Sequence, residues 1–168
     1  RDIDLRKFLA AELVDYADGC SLMYAEQFIP APRKNVFEYF ADAHNLEKLT
    51  PSLLSFHIEK VSTPTVKEGT LIDYRLKIRG IPVKWRTRID NWNPPEKFVD
   101  FQLSGPYKYW NHVHSFIEVP GGTLMIDEVR YRVPFGRLGR LVAGDFVAAD
   151  VRKIFKYRRE VIAGTQFS

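Results

Sequence analysis

A chain of 168 residues with 45% hydrophobic content holds one domain with a sizeable core, and a formal charge of +4 falls far short of a nucleic-acid binder's signature. The single cysteine, Cys20, excludes an intrachain disulfide and fits a reducing cytoplasm, and no apolar run approaches the roughly 18–20 residues that span a bilayer. Aromatic residues make up 14% of the chain, more than a small core needs, which points to a cavity or groove with aromatic walls.

Residues 4–17 set Leu5, Phe8, Leu9, Leu13 and Tyr16 on one helical face and stop at Gly19, as either a docking helix or a frayed extension. This separates an N-terminal extension over residues 1–20, a helix candidate, from a domain over residues 21–168. Residues 21–29 read as a first strand. Pro30 and Pro32 end it and open a helix over 33–41, with Val36, Phe37 and Phe40 as the buried face. A turn at 42–45 leads to a short helix over 46–49, which Pro51 stops.

Six strands follow, at 56–61, 70–79, 82–92, 98–103, 109–119 and 123–133, divided by turns rich in glycine and proline. Ile72, Tyr74, Leu76 and Ile78 share one strand face. A turn at Gly80-Ile81 puts them opposite Ile89, Thr87, Trp85 and Val83. The other face then carries Arg75 beside Arg86 and Lys77 beside Lys84, with Asp73 near Arg88. Like charges paired across strands are tolerated only in water, so this basic face is the outer one. In 98–103, Val99, Phe101 and Leu103 form the set assigned to the interior.

Residues 138–162 contain no proline, and Leu141, Ala148, Val151, Phe155 and Ile162 recur at helical spacing. Leu138, Val142, Phe146 and Ala149 widen that buried stripe, so the helix should be packed against the sheet rather than merely surface-bound. Asp145 and Asp150 precede Lys153, Lys156, Arg158 and Arg159, an order that suits the helix dipole.

The segments PAPRKNVFEYFADAHNLEKLTP, GTLIDYRLKIRGIPVKWRTRIDNWNPPEKFVDFQLSGPYKYWNHVHSF and YRVPFGRLGRL, in this order, resemble the START-like (SRPBCC) ligand-binding superfamily. The nearer branch is that of small bacterial proteins labelled polyketide cyclase/dehydrase-like or cell-division-inhibitor-like, and the resemblance covers about residues 21–162. It implies an α+β helix-grip fold. A curved antiparallel sheet of about seven strands wraps a long C-terminal helix, two short helices follow strand one, and a cavity lies between sheet and helix. The superfamily includes lipid and steroid carriers, quinone-binding proteins, aromatic cyclases and oxygenase domains, so the fold leaves function open.

The hairpin over 109–133 carries the most chemistry. Trp110, His112, His114 and Phe116 alternate on one face, and a turn at Pro120-Gly121 sets His114 opposite Asp127, His112 opposite Val129 and Trp110 opposite Tyr131. An imidazole oriented by a carboxylate is what a general base needs. The same pair, buried, equally serves to satisfy polar groups within a sheet. His112, His114 and Asp127 also match the two-histidine, one-carboxylate set of non-haem iron. Histidines at alternate strand positions recur by chance, so no metal and no cofactor are assigned. The candidate catalytic pair is His114 and Asp127. The candidate ligand-binding residues are Tyr74, Trp85, Phe101, Trp110, His112, Phe116 and Tyr131.

The resulting expectation is a cytoplasmic domain that binds, and by extension transports, an apolar or aromatic small molecule such as a lipid, quinone or polyketide. One alternative is a cyclase or dehydratase that uses His114, held by Asp127, as its base. The other is a protein-interaction module with a filled core. No nucleic-acid partner is expected, the basic outer face allows transient contact with an anionic membrane surface, and the oligomeric state stays open.

Overall fold

The computed structural model describes residues 19–168 together with the backbone of Val14–Asp15. The helix candidate over residues 4–17 otherwise lies outside the described residues. Val14 and Asp15 themselves are extended and pair with Leu22 and Ser21 as strand β1. The remaining strands are β2 (Ser21–Ile29), β3 (His57–Val61), β4 (Leu71–Ile78), β5 (Ile81–Asn93), β6 (Lys97–Ser104), β7 (Tyr109–Val119) and β8 (Gly122–Arg132). The helices are α1 (Arg33–Ala41), α2 (Asn45–Lys48) and α3 (Gly136–Ala163), with a 3₁₀ turn at Ser52–Leu54.

All strands join one antiparallel sheet in the order β1-β2-β8-β7-β6-β5-β4-β3. Register shifts in β3–β4 and β5–β6 bend the strands and increase the local twist. The seven longer strands thereby curve around α3 as a helix-grip. One apolar cluster packs Val36 and Phe37 of α1 against Ile29, Ile89, Phe98, Phe116, Met125 and Ile162. A second joins Met23, Val129 and Tyr131 of the sheet to Val151 of α3.

Three local readings change. The β4–β5 turn is Arg79-Gly80, with Ile78 opposite Ile81, and both turn residues have positive φ (51° and 79°). Two residues of positive φ make the turn whose twist matches that of the flanking strands, and this outcompetes a turn at Gly80-Ile81. The register moves by two residues. Asp73 now faces Arg86, which it binds through two hydrogen bonds of 2.6 and 2.9 Å, while Arg75 reaches Glu59 and Arg88 reaches Asp90, each at 2.6 Å. The supposedly basic outer face is therefore largely neutralised.

In β6 the inward set is Phe98, Asp100 and Gln102, because Phe98 stands opposite His114 and Asp100 opposite His112. Directly paired residues share a sheet face, so β7 dictates the phase of β6. Phe101 and Leu103 belong to the outer face, contrary to the apolar alternation.

The third change concerns α3. Ala148, Val151, Arg158 and Ile162 are its buried residues, whereas Leu138, Leu141, Val142 and Phe146 are 69%, 84%, 69% and 60% exposed. The wide apolar stripe is thus not a packed one in the first half of the helix. The charge order along the helix is as the sequence reads, but its first turn holds no acidic residue and its last turn no basic one, so the dipole gains little from it.

At the other end of the sheet, a Cβ on Gly122 would stand 2.2 Å from the Ile29 carbonyl oxygen and 3.0 Å from Pro30 Cα. Both neighbours are backbone and cannot yield cheaply. Gly122→Ala should lower the unfolding free energy by about 1–3 kcal/mol in urea denaturation. An unchanged midpoint would show that the β2–β8 junction is not that tight.

Candidate functional site

Between the concave sheet face and α3 lies a cavity of about 660 Å³, inside the range of roughly 300–1,000 Å³ typical of small-molecule sites. Alternation along the strands aims Tyr74, Leu76, Trp85 and Thr87 into it from β4 and β5, and Trp110 and His112 from β7. Gly139, Ala143, Val147, Val151 and Phe155 face it from α3. Leu53 and Phe135 line it while each remaining 87% exposed, so they mark where it meets solvent.

Much of the wall is a run of rings in contact. Phe56 meets Tyr74 at 4.7 Å between centroids, Tyr74 stacks on Trp85 at 5.6 Å, and Trp85 meets Trp110 edge-on at 5.2 Å. Trp85 is 7% exposed, and its Nε1 has no hydrogen-bond partner among the described residues. The Nε of Arg158, which also lines the cavity, is buried without a partner in the same way.

One side of the cavity is bounded by a buried charge cluster. The Nε2–H of His112 donates to Asp127 Oδ1 at 2.7 Å, and Arg158 Nη2 donates to the same oxygen at 3.3 Å. His114 Nε2 donates to Asp100 Oδ2 at 2.6 Å, and its Nδ1 lies 3.2 Å from Asp127 Oδ1. The two imidazoles stack at 3.7 Å, and His114 also stacks on Phe98 at 4.4 Å.

Two stacked imidazoles cannot both carry charge cheaply. Burial, then the neighbouring His114, pushes His112 down to about 4, so it is neutral at neutral pH. Burial pulls His114 down as well, but the Asp100 carboxylate and then Asp127 outweigh it and hold His114 above its ordinary value. Burial would raise both carboxyls. Arg158 and the two histidines instead hold Asp127 well below the usual carboxylate range, and His114 is the chief group lowering Asp100. The two carboxylates thus face the Arg158 guanidinium and a His114 imidazole whose protonated form they favour. Arg158 Nη2 also lies 3.3 Å from His114 Nδ1, which accepts from it when His114 is neutral with its proton on Nε2.

The strand register predicted for this hairpin is observed: His114 faces Asp127, His112 faces Val129 and Trp110 faces Tyr131. Tyr74, Trp85, Trp110 and His112 line the cavity. Phe101 does not reach it, lying on the outer face 5.5 Å below Arg88 and 5.8 Å from Tyr109. Phe116 belongs to the core around Phe37, Phe40 and Phe98, and Tyr131 to the core around Met23 and Val129. His114 and Asp127 lie outside the lining of the large cavity.

Sequence reasoning missed Asp100 and Arg158. Asp100 was hidden by the apolar phase of Val99, Phe101 and Leu103. Arg158 passed for a surface cation near a helix C-terminus, yet it falls on the same face as Val151 and Ile162, seven and four residues away, and that periodicity was the available signal.

Asp100, His112 and His114 bring ligand-type atoms within 4.8 Å of one another, the group among the described residues that could hold a metal. It includes Asp100 in place of the Asp127 whose spacing with the two histidines matched a facial set in the sequence. Each of the three already holds a hydrogen bond inside the cluster, and Arg158 supplies positive charge at the adjacent carboxylate. Those commitments suit a hydrogen-bonded cluster better than a cation site.

Between pH 6.5 and about 4 the unfolded chain protonates His112 while the folded chain does not, so stability falls with pH across that window. Below it, protonation of Asp100 and Asp127 continues the loss. His114 acts in the opposite sense. Its contribution is complete below the unfolded value of 6.5 and fades as pH rises through its higher folded value. Thermal melts across pH should therefore show a stability maximum near neutrality, and His112→Asn should flatten the limb between pH 6.5 and 4. A wild-type limb as flat as the variant's would refute the assignment of His112. Arg158→Met should cost about 3–5 kcal/mol in denaturant titration, because it strands a buried carboxylate.

A match to the family described as polyketide cyclase / dehydrase and lipid transport runs over residues 29–155. No curated protein matches the chain. Among solved structures, Zhui aromatase/cyclase from Streptomyces sp. R1128 is similar with a TM-score of 0.67 at 17% identity, over 86% of this chain and 92% of that one. TTHA0849 from Thermus thermophilus has a TM-score of 0.62 at 19% identity, over 85% and 97% of the two chains. Ara h 8.0201 has a TM-score of 0.58 at 17% identity, over 88% and 100%. Identities this low speak to the shared fold, and a shared fold does not carry an activity. With residues 29–155 matched and a sheet that grips one long helix, this chain belongs to the START-like family of polyketide cyclases, dehydrases and lipid-transport proteins.

Proposed function

We propose that this protein binds an apolar small molecule bearing oxygen acceptors, of the lipid, quinone or polyketide class, in the cavity between sheet and α3. The observation that carries this reading is the pairing of an aromatic-walled space of about 660 Å³ with two buried donors that have no partner, Trp85 Nε1 and Arg158 Nε. An orphaned buried donor costs about 1–3 kcal/mol. A carbonyl or hydroxyl oxygen on a bound ligand offsets that cost, whereas a pure hydrocarbon does not. The cavity volume also argues against the filled-core interaction module. The setting we propose is a reducing cytoplasm, as the single cysteine suggests.

The electrostatics favour binding over base catalysis. His112 faces the cavity, but a value near 4 makes it a weak base at neutral pH. Two carboxylates that His114 already engages hold it above its ordinary value, and it stands outside the cavity lining. The Zhui protein is an aromatase/cyclase, yet His112, the one histidine along the cavity lining among the described residues, is too weak a base for that role at neutral pH. His112, Asp100 and Arg158 are instead suited to orient the polar end of a ligand.

The test is native mass spectrometry of the purified protein, followed by titration with a quinone and with a hydrocarbon probe of similar size. The quinone should bind more tightly, and Trp85→Phe should weaken it about tenfold while leaving the hydrocarbon unaffected. Ala143→Trp, which fills space at the cavity wall, should reduce uptake of both. Equal binding of both probes by wild type and Ala143→Trp would place the ligand elsewhere and end this reading.

A further inference from the structure

No helix among the described residues is long and apolar enough to cross a membrane, yet their most exposed large hydrophobic side chains gather on a few segments beside the cavity. Leu53, on the 3₁₀ turn, and Phe135, just before α3, both line the cavity and are each 87% exposed. Ile81 is 66% exposed at the tip of the β4–β5 hairpin, whose Arg79-Gly80 turn lines the cavity as well. From Phe135 the surface continues along α3, where Leu138, Leu141 and Phe146 fall on the side of the helix away from Val147 and Val151. Every large hydrophobic residue more than 44% exposed lies on these three segments, among the described residues. Scattered exposed leucines need no explanation, but a collar of them on the segments that border a cavity mouth does.

The charges beside the collar favour one occupant. Arg137 is exposed in the first turn of α3, and Lys153 is exposed while also lining the cavity. Lys77 and Lys84 stand on the outer face of the same hairpin tip. Of the two acids on this half of α3, Asp150 is tied to Arg79 by hydrogen bonds of 3.0 and 3.1 Å, and Asp145 is exposed. An apolar face flanked by cations is the surface that settles into the boundary between anionic headgroups and acyl chains. Away from the hairpin tip the outer strand face lacks this character, since Arg75, Arg86 and Arg88 are each paired with a carboxylate.

We propose that this collar docks the protein onto the surface of an anionic lipid bilayer, with the cavity mouth against the acyl-chain boundary. An apolar ligand then passes between bilayer and cavity without crossing water. The transfer role rests on the ligand-binding reading above; the docking itself does not.

The experiment is co-sedimentation with vesicles of phosphatidylcholine alone and of phosphatidylcholine mixed with phosphatidylglycerol. It compares wild type with the double substitution Leu138→Ser/Leu141→Ser, two exposed positions outside the cavity lining. Uptake of the quinone and light-scattering mass are measured on the same samples. Wild type should bind the anionic vesicles in preference to the neutral ones, and less at raised salt. The double variant should lose at least about tenfold in partition with quinone uptake unchanged. Absence of vesicle binding by wild type, or equal binding by the variant, overturns the proposal. So does a wild-type dimer that the double substitution dissolves while no vesicle binding is seen, since the collar is then a self-interface. Collar-dependent vesicle binding by a protein that takes up no quinone upholds the docking and defeats the ligand reading alone.

Discussion

Asp127 holds three elements together. It projects from β8, accepts from His112 on β7 and is bound by Arg158 from α3, while His114 extends the same cluster to Asp100 on β6. A buried carboxylate without such partners would be driven to its neutral form, and a buried guanidinium cannot shed its proton. The cluster is therefore an all-or-none arrangement. Its net contribution to stability is small, because desolvation consumes most of the attraction, but removing any one member exposes the full cost. What it determines most firmly is position: α3 can lie across the sheet only where Arg158 meets Asp127.

That constraint divides the helix. Its second half is pinned by the cluster and by Val151 and Ile162 in the two cores. Its first half spans the cavity and packs with small or modest side chains, Gly139, Ala143 and Val147, on the inner side. The cavity is thus the space left when one end of a helix is held by charge neutrality and the other is given no bulky residue with which to close the gap. The same half carries most of the apolar collar, so the stretch of helix that spans the cavity on one side exposes large hydrophobic side chains on the other.

Much of this is legible from residue order. Strand β2 and helix α1 have the bounds that the sequence predicts, since Pro30 and Pro32 leave the chain little choice between them. The register of β7 with β8 follows from a two-residue turn at Pro120-Gly121, and it brings His114 and Asp127 opposite each other. The errors have one physical origin. Period-two alternation tells which residues share a face, but a strand with two mixed faces does not say which face is inside. β6 is such a strand: Val99, Phe101 and Leu103 are the more apolar set, and Asp100 wins the interior only because His114 waits for it there.

The sequence by itself determined the elements, their antiparallel order, the family and the aromatic character of the interior, because these rest on turn chemistry and on local periodicity. Tertiary structure alone decided that Arg158 is a core residue, that His112 rather than His114 faces the cavity, and that the leucines of the early α3 remain in solvent. Each of those depends on what stands across from a side chain in space. An arginine two helical turns beyond Val151 becomes a buried counter-ion only when a carboxylate from another strand is brought beneath it, and a helical leucine is core only where the sheet has curved far enough to meet it.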